Sequence, residues 1–171
     1  YPASWYRDSF ERARAAGFAA LPHGGETAGA AYVRECVDVL RADRVGHGVM
    51  AVEDPAVLAL LVERGVTLEV CPTSNVLLGV AADIESHPLG RLRDAGVAVT
   101  LATDDPGYFD NTVTGELALA QRHHGFSDAD LHAMQLHAVA VCLADDATKA
   151  RLRRELAEHA PQTGPTNAAP A

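Results

Sequence analysis

A chain of 171 residues, 48% of them hydrophobic, is long enough to bury one core and lacks the composition of a disordered protein. Its 14 basic and 23 acidic residues give a net charge of −9, which argues against a nucleic-acid partner, and no apolar run approaches the roughly 20 residues of a membrane span. The first ten residues lack the pattern of a signal peptide, and three widely spaced cysteines fit reduced thiols, so we expect a cytoplasmic protein.

Strands and helices are predicted to alternate along the chain. Short apolar runs predict strands at 18–23, 44–48, 67–71 and 97–103. Amphipathic periodicity predicts helices at 8–16, 27–42, 54–65, 87–96, 113–124, 127–142 and 145–159. Thr27 and Asp54 are predicted N-caps, while Gly65 and Gly96 stand where helices should end.

The alternation of strand and helix predicts an α/β fold with a parallel sheet and right-handed crossovers. The strands are nearly continuous apolar runs, as expected when both faces of the sheet are covered. Two architectures use this pattern, an open doubly wound sheet and a (β/α)8 barrel. Residues 160–171 are rich in proline and alanine and are predicted to form a disordered tail, which leaves 1–159 as the structured part.

Every predicted strand ends in a polar cluster. In parallel α/β folds the carboxyl ends of the strands build the active site, so these clusters are expected to meet along one edge. The residues concerned, in chain order, are His23, Glu26, His47, Ser74, Asn75, Asp104 and Asp105.

Taken singly, each of these residues has an ordinary structural explanation. His23 can be a hydrogen-bonding group at a strand end, and Glu26 can favour the start of the next helix through its dipole. Asp104 and Asp105 before a proline can form an Asx-type turn. Four independent turns would not be expected to present such groups at corresponding positions, so the joint pattern favours a site. The other histidines, on predicted helices or loops, have no matching partner: His87, His123, His124, His132, His137 and His159.

Imidazole and carboxylate groups at one edge predict metal-assisted hydrolysis. Neutral imidazole and carboxylate suit a zinc ion with an open coordination position. Zinc lowers the pKa of bound water to about 7, which supplies a nucleophile at neutral pH. A nearby carboxyl group can donate and accept the protons, and a second histidine can orient the water.

Four motifs resemble one known family. In this order, "HGGE", "RVGHG", "LEVCPTSN" and "TDDPGYF" are similar to the C-terminal half of the adenosine/adenine deaminase family of metal-dependent hydrolases, over residues from about 5 to about 158. "HGGE" departs from the family's usual "HAGE", a change that loosens the loop without removing a functional group. The resemblance implies strands five to eight of a (β/α)8 barrel, a partial barrel over 1–159 with extra C-terminal helices.

The family's roles are carried over onto matching positions. His23 resembles a zinc-ligating histidine on the fifth strand, and Asp104 resembles the aspartate that binds zinc, with one Zn²⁺ per active site. Glu26 resembles the acid that protonates purine N1. His47 resembles the histidine that orients, polarises and helps deprotonate the attacking water. By the same resemblance, "CPTSN" is expected to support the rim of the site on strand seven.

Substrate binding is also implied by the resemblance. Asp105 resembles the aspartate that pairs with purine N7, and Gly25 in the same loop as Glu26 is expected to contact substrate. The implied reaction converts adenosine, a small-molecule purine nucleoside, to inosine and ammonia. Adenine or an aminofutalosine-type nucleoside is the alternative substrate, and a non-catalytic half-barrel is the alternative to an enzyme.

One family feature is absent from the sequence. The family's His-x-His metal pair lies on its first strand, and this sequence contains no His-x-His. A complete barrel needs about 250 residues. We therefore expect the chain to need a missing N-terminal half, or to self-associate through exposed sheet edges.

Overall fold

The chain folds into two compact units in the computed structural model, which describes residues 1–161. The first unit is Tyr1–Gly125 and contains the sheet, and the second begins at Phe126 and is helical. Of the predicted tail 160–171, residues 162–171 lie outside the described part of the chain. No helix among the described residues is long and apolar enough to cross a membrane.

A four-stranded parallel sheet forms the first unit, which confirms the predicted α/β class. Its strands lie side by side in sequence order: β1 His23–Gly24, β2 Arg44–His47, β3 Thr67–Val70 and β4 Val99–Leu101. His23 is in register with Gly46, and Gly46 in turn with Glu69. Because all strands run the same way, their carboxyl ends share one edge, where the predicted polar residues follow.

Helices connect the strands. In the first unit they are α1 Arg7–Ala15, α2 Ala30–Asp38, α3 Pro55–Arg64, α4 Pro72–Leu77, α5 Leu89–Asp94, α6 Pro106–Phe109 and α7 Val113–His124, with short 3-10 helices at Ala3–Tyr6 and Val49–Glu53. The predicted bounds of α3 are confirmed. The Asp54 carboxylate accepts the N–H of Ala56 at 2.8 Å, and Gly65 ends the helix at φ 62°.

Two local predictions on either side of Glu26 are wrong. The strand predicted at 18–23 pairs as a strand only at His23 and Gly24, because Pro22 has no N–H and the N–H of Ala20 donates to the Asp43 carboxylate at 2.7 Å. The helix predicted from Thr27 begins at Ala30 with Gly29 at its N-cap. The residues between therefore form a loop, and that loop carries Glu26.

The core holds the strands in place. Side chains from strands and from the helices around them are fully buried, including Val33, Val45, Leu61, Leu68, Val70, Leu89 and Leu92. Each such side chain contributes roughly 1.5–3 kcal/mol by leaving water. The strand ends are thus fixed by packing beneath them, and the loops beyond can hold polar groups in defined positions.

The second unit contains two helices with strong N-terminal caps. Helix α8 spans Asp128–Val141, and α9 spans Asp146–Glu158, each within a residue or two of prediction. Ser127 and Asp130 form a reciprocal capping box at the start of α8. These are the predicted extra C-terminal helices.

Candidate active site

Two histidines meet at the ends of β1 and β2. His47 is only 3% exposed, and its ring meets that of His23 edge-on, with 5.2 Å between ring centroids and 83° between planes. The carboxylate of Glu26 lies beside them, with Oε2 3.7 Å from His47 Nε2. Three residues from two of the predicted motifs, "HGGE" and "RVGHG", are therefore brought together.

Gly46 makes room for the first of these rings. A Cβ placed at Gly46 would lie 2.5 Å from Cδ2 of His23, well inside van der Waals contact. The His23 ring therefore lies over the backbone of β2 at the point where the neighbouring strand has no side chain. The sequence "VGHG" therefore contains His47 and also, through Gly46, provides the space for the ring of His23.

Asp104 completes the cluster from the loop after β4. One ligand atom each from His47, Cys71 and Asp104 lie within 4.8 Å of one another. The hydroxyl of the buried Ser74 donates to Asp104 Oδ2 at 2.7 Å, which orients the carboxylate. We call His23, Glu26, His47, Cys71 and Asp104 the strand-end cluster.

The backbone at two members of the strand-end cluster is left-handed. His47 has φ 63° and Asp104 has φ 59°. This region is uncommon for residues other than glycine, although His and Asp tolerate it better than most, and it costs roughly 1–3 kcal/mol where it persists. Two such residues, one at the end of β2 and one in the loop after β4, show that the surrounding structure holds the site against local preference, a pattern that concentrates at functional sites.

Burial sets the protonation of the cluster. Burial lowers the pKa of His47, against the opposing effect of the Glu26 carboxylate, so the imidazole is favoured in its neutral form. Burial raises the pKa of the Cys71 thiol to about 12, and the nearby Asp104 carboxylate adds to the rise. The site therefore offers neutral imidazole and a protonated thiol.

The donors in the strand-end cluster fit a divalent metal such as zinc. Neutral imidazole nitrogens and a carboxylate are zinc's ordinary protein ligands apart from thiolate. His23 and Asp104, the predicted ligands, both belong to the cluster, and His47 lies against His23 and close to Asp104. Cys71 was missed by the sequence reasoning, which treated it only as a reduced thiol. Its Sγ lies 3.7 Å from the carbonyl oxygen of Glu69, to which the thiol donates, and within 4.8 Å of ligand atoms of His47 and Asp104.

The two predicted substrate-binding residues differ in character. Asp105 is exposed and precedes α6, and its side chain makes no capping bond there. Gly25 has φ 66°, and a Cβ on it would lie 2.2 Å from Cγ2 of Val33. Its carbonyl accepts the N–H of Met50 at 2.9 Å. Gly25 therefore shapes the loop of Glu26 through its backbone, on one side of an open recess of about 300 Å³.

The family model for adenosine deaminase matches residues 2–159. The chain belongs to the adenosine deaminase family. Within that family, the adenine deaminase of Rhizobium rhizogenes is 44% identical over 151 residues, which cover 88% of this chain and 47% of that protein.

Solved structures related to this adenosine deaminase family member share its fold. An adenine deaminase from Arthrobacter aurescens superposes with a TM-score of 0.86 at 34% identity, covering 92% of this chain and 48% of the other. An amidohydrolase from Burkholderia ambifaria, crystallised with bound zinc, gives 0.81 at 31% identity over 92% of this chain and 44% of its own. The chain thus spans about half the length of the relatives it matches.

Proposed function

We propose that this chain is the C-terminal half of a (β/α)8-barrel enzyme that removes the exocyclic amino group of an aminopurine by hydrolysis. The observation that carries the proposal is the buried His47, set among His23, Glu26 and Asp104 at the carboxyl edge of a parallel sheet. Membership of the adenosine deaminase family supports the same chemistry.

Adenine is the substrate that we place first. The sequence motifs alone put adenosine first, but relatives from Rhizobium rhizogenes and Arthrobacter aurescens carry the name adenine deaminase. The proposed reaction is adenine plus water giving hypoxanthine plus ammonia.

A metal ion is part of the proposal. His23 and Asp104 would hold zinc, and the remaining ligands would come from outside this sequence, which has no His-x-His. When bound, the metal lowers the pKa of a water molecule toward about 7. With only two of the usual protein ligands, this chain alone should bind the ion loosely and turn over substrate poorly.

The other steps of the proposed reaction are assigned to individual side chains of the site. Glu26 delivers a proton to purine N1, which weakens the aromatic ring against attack at C6. His47 orients the attacking water, and Asp105 pairs with N7 and fixes the plane of the ring. One proton of the water replaces the proton that Glu26 gives up, and the other passes to the exocyclic nitrogen. The bond from C6 to that nitrogen then breaks, ammonia leaves, and the oxygen of the water remains on C6.

The test compares two carboxylate variants of the natural gene product that contains this chain. Adenine and adenosine turnover are followed by absorbance with zinc present. Glu26→Gln should lower kcat by at least about 100-fold because it removes the proton donor. Glu63→Gln, on the exposed side of α3, should leave kcat unchanged. Full activity in Glu26→Gln would refute the assigned role, and a wild type inactive on both substrates would support a non-catalytic barrel half.

A further inference from the structure

A chain of hydrogen bonds runs to His47 from the start of α5. The backbone N–H of Leu89 donates to Nδ1 of His87 at 3.1 Å. A backbone amide is always a donor, so Nδ1 of His87 must carry a lone pair. Burial lowers the pKa of His87 to about 4, so the ring is neutral and its one proton lies on Nε2.

Asn75 extends the chain of hydrogen bonds from His87 to His47. His87 Nε2 lies 3.1 Å from Asn75 Oδ1, so the ring donates to the amide oxygen. The amide nitrogen then faces the other way, 3.3 Å from Nδ1 of His47, and donates to it. Asn75 is fully buried and His87 is 3% exposed, so water does not compete for these bonds.

The tautomer of His47 follows from its neighbours. Because Nδ1 accepts from Asn75, the proton of the neutral imidazole must lie on Nε2. That nitrogen is the one near the carboxylate of Glu26, at 3.7 Å. The edge of the ring that faces the strand-end cluster is therefore a hydrogen-bond donor.

We propose that Asn75 and His87 form a positioning relay that fixes His47 as its Nε2–H tautomer, so that His47 donates a hydrogen bond to the attacking water and does not accept its proton. The relay rests on the proposed function only for its effect on catalysis. The direction of each bond rests on the Leu89 amide, which no change of side chain can reverse. His87, which has no partner in the sequence pattern, thereby acquires a role.

An isosteric substitution tests the relay. Asn75→Asp replaces the donor that faces His47 with an acceptor while leaving a group that His87 can still donate to. The proton of His47 should then move to Nδ1, or the ring should become doubly protonated. Heteronuclear NMR of the histidine ring nitrogens reads this directly, in the zinc-loaded and the metal-free natural gene product and without substrate.

Steady-state kinetics of the variants are the second test of the relay. Asn75→Asp should lower kcat about 10- to 100-fold, as loss of an outer partner commonly does, while KM for adenine changes little. His87→Gln should stay near wild type because its amide can still donate to Asn75, whereas His87→Leu should lower kcat. His159→Leu, at an exposed histidine at the C-terminal end of α9, is the control.

The experimental outcomes distinguish a failure of the relay from a failure of the proposed function. A wild-type His47 protonated on Nδ1, or an Asn75→Asp variant with an unchanged His47 tautomer, would overturn the relay. If the Asn75→Asp variant loses its circular dichroism spectrum, the His87→Leu variant is read in its place, and unchanged His47 signals there would equally overturn it. A tautomer change in a protein that deaminates neither substrate would keep the relay and reject the proposed function.

Discussion

Gly46 leaves room for the ring of His23, a proposed metal ligand. We predict that Gly46→Ala moves the His23 ring, because the new methyl group would lie 2.5 Å from its Cδ2 atom. Metal affinity should fall by about 10- to 100-fold, as with other losses of ligand support. Competition with a chromophoric chelator measures it. Gly107→Ala, which would meet nothing within 4 Å, should bind metal as wild type does, and equal affinities in the two variants would contradict the assignment.

His87 should make the protein sensitive to acid. Its pKa is lowered from 6.5 to about 4 by burial. At pH values between these two, His87 is protonated in the unfolded chain and neutral in the folded chain. The free energy of unfolding should therefore fall as pH drops from about 6.5 to about 4, by at most roughly 3 kcal/mol. Urea titrations across this range should show a shallower pH dependence for His87→Gln, and parallel curves would speak against a buried neutral ring.

Residue spacing along the sequence identified part of the site only. The cluster of His23, Glu26, His47 and Asp104 was predictable because each lies at or shortly after the end of a predicted strand, and parallel strands end on one edge. The contact between Asn75 and His87 was not, because the irregular segment between them has no periodicity that fixes its path. The local sequence pattern therefore predicts where strands end, but it does not predict which side chains pack behind the site.

At the scale of elements, Glu116 on α7 joins two loops at the site. This buried carboxylate accepts the N–H of Thr73 at 3.1 Å and the side-chain amide of Asn111 at 2.8 Å. Asn111 also donates to the carbonyl of Thr103 at 3.1 Å. Helix α7 therefore connects the start of α4 with the loop after β4, which bears Asp104.

We predict that Glu116→Ala loosens this connection. It would leave the buried donors of Thr73 and Asn111 without their acceptor and open a cavity, so the free energy of unfolding should fall by about 2–4 kcal/mol. Denaturant titration gives the value. Glu63→Ala on the exposed face of α3 should change it by less than about 0.5 kcal/mol. A loss no larger than that of the control would mean that Glu116 is dispensable to the loops.

Helices with clear capping residues at their ends were predicted more accurately than helices without them. Helix α3 was located well because Asp54 caps its start and Gly65 ends it. Helices α4 and α6 were missed, since each begins at a proline shortly after a strand and spans six and four residues, too few for periodicity to show. Short helices of this kind depend on tertiary contacts, which no local window contains.

At the scale of the molecule, the sheet has two outer strands. Among the described residues, β1 and β4 each pair with one strand only, and large apolar side chains are exposed at Tyr1, Trp5, Phe18, Leu77 and Tyr108. We predict that the isolated chain self-associates, because unpaired edges and apolar surface favour contact between copies. Sedimentation velocity should show larger species as concentration rises, and a polypeptide supplying the proposed other half of the barrel should suppress them. A stable monomer at high concentration would count against this.

The order of the strands in the sheet also bears on how the protein is made. Each strand hydrogen-bonds to the strand that follows it in the sequence, β1 to β2, β2 to β3 and β3 to β4. Within the described chain, no strand has to wait for a partner synthesised much later. Low separation between contacting segments favours fast folding, and synthesis proceeds from the N-terminus. The sheet can therefore grow strand by strand as the ribosome releases it, with His23 and His47 already side by side before Asp104 has been translated.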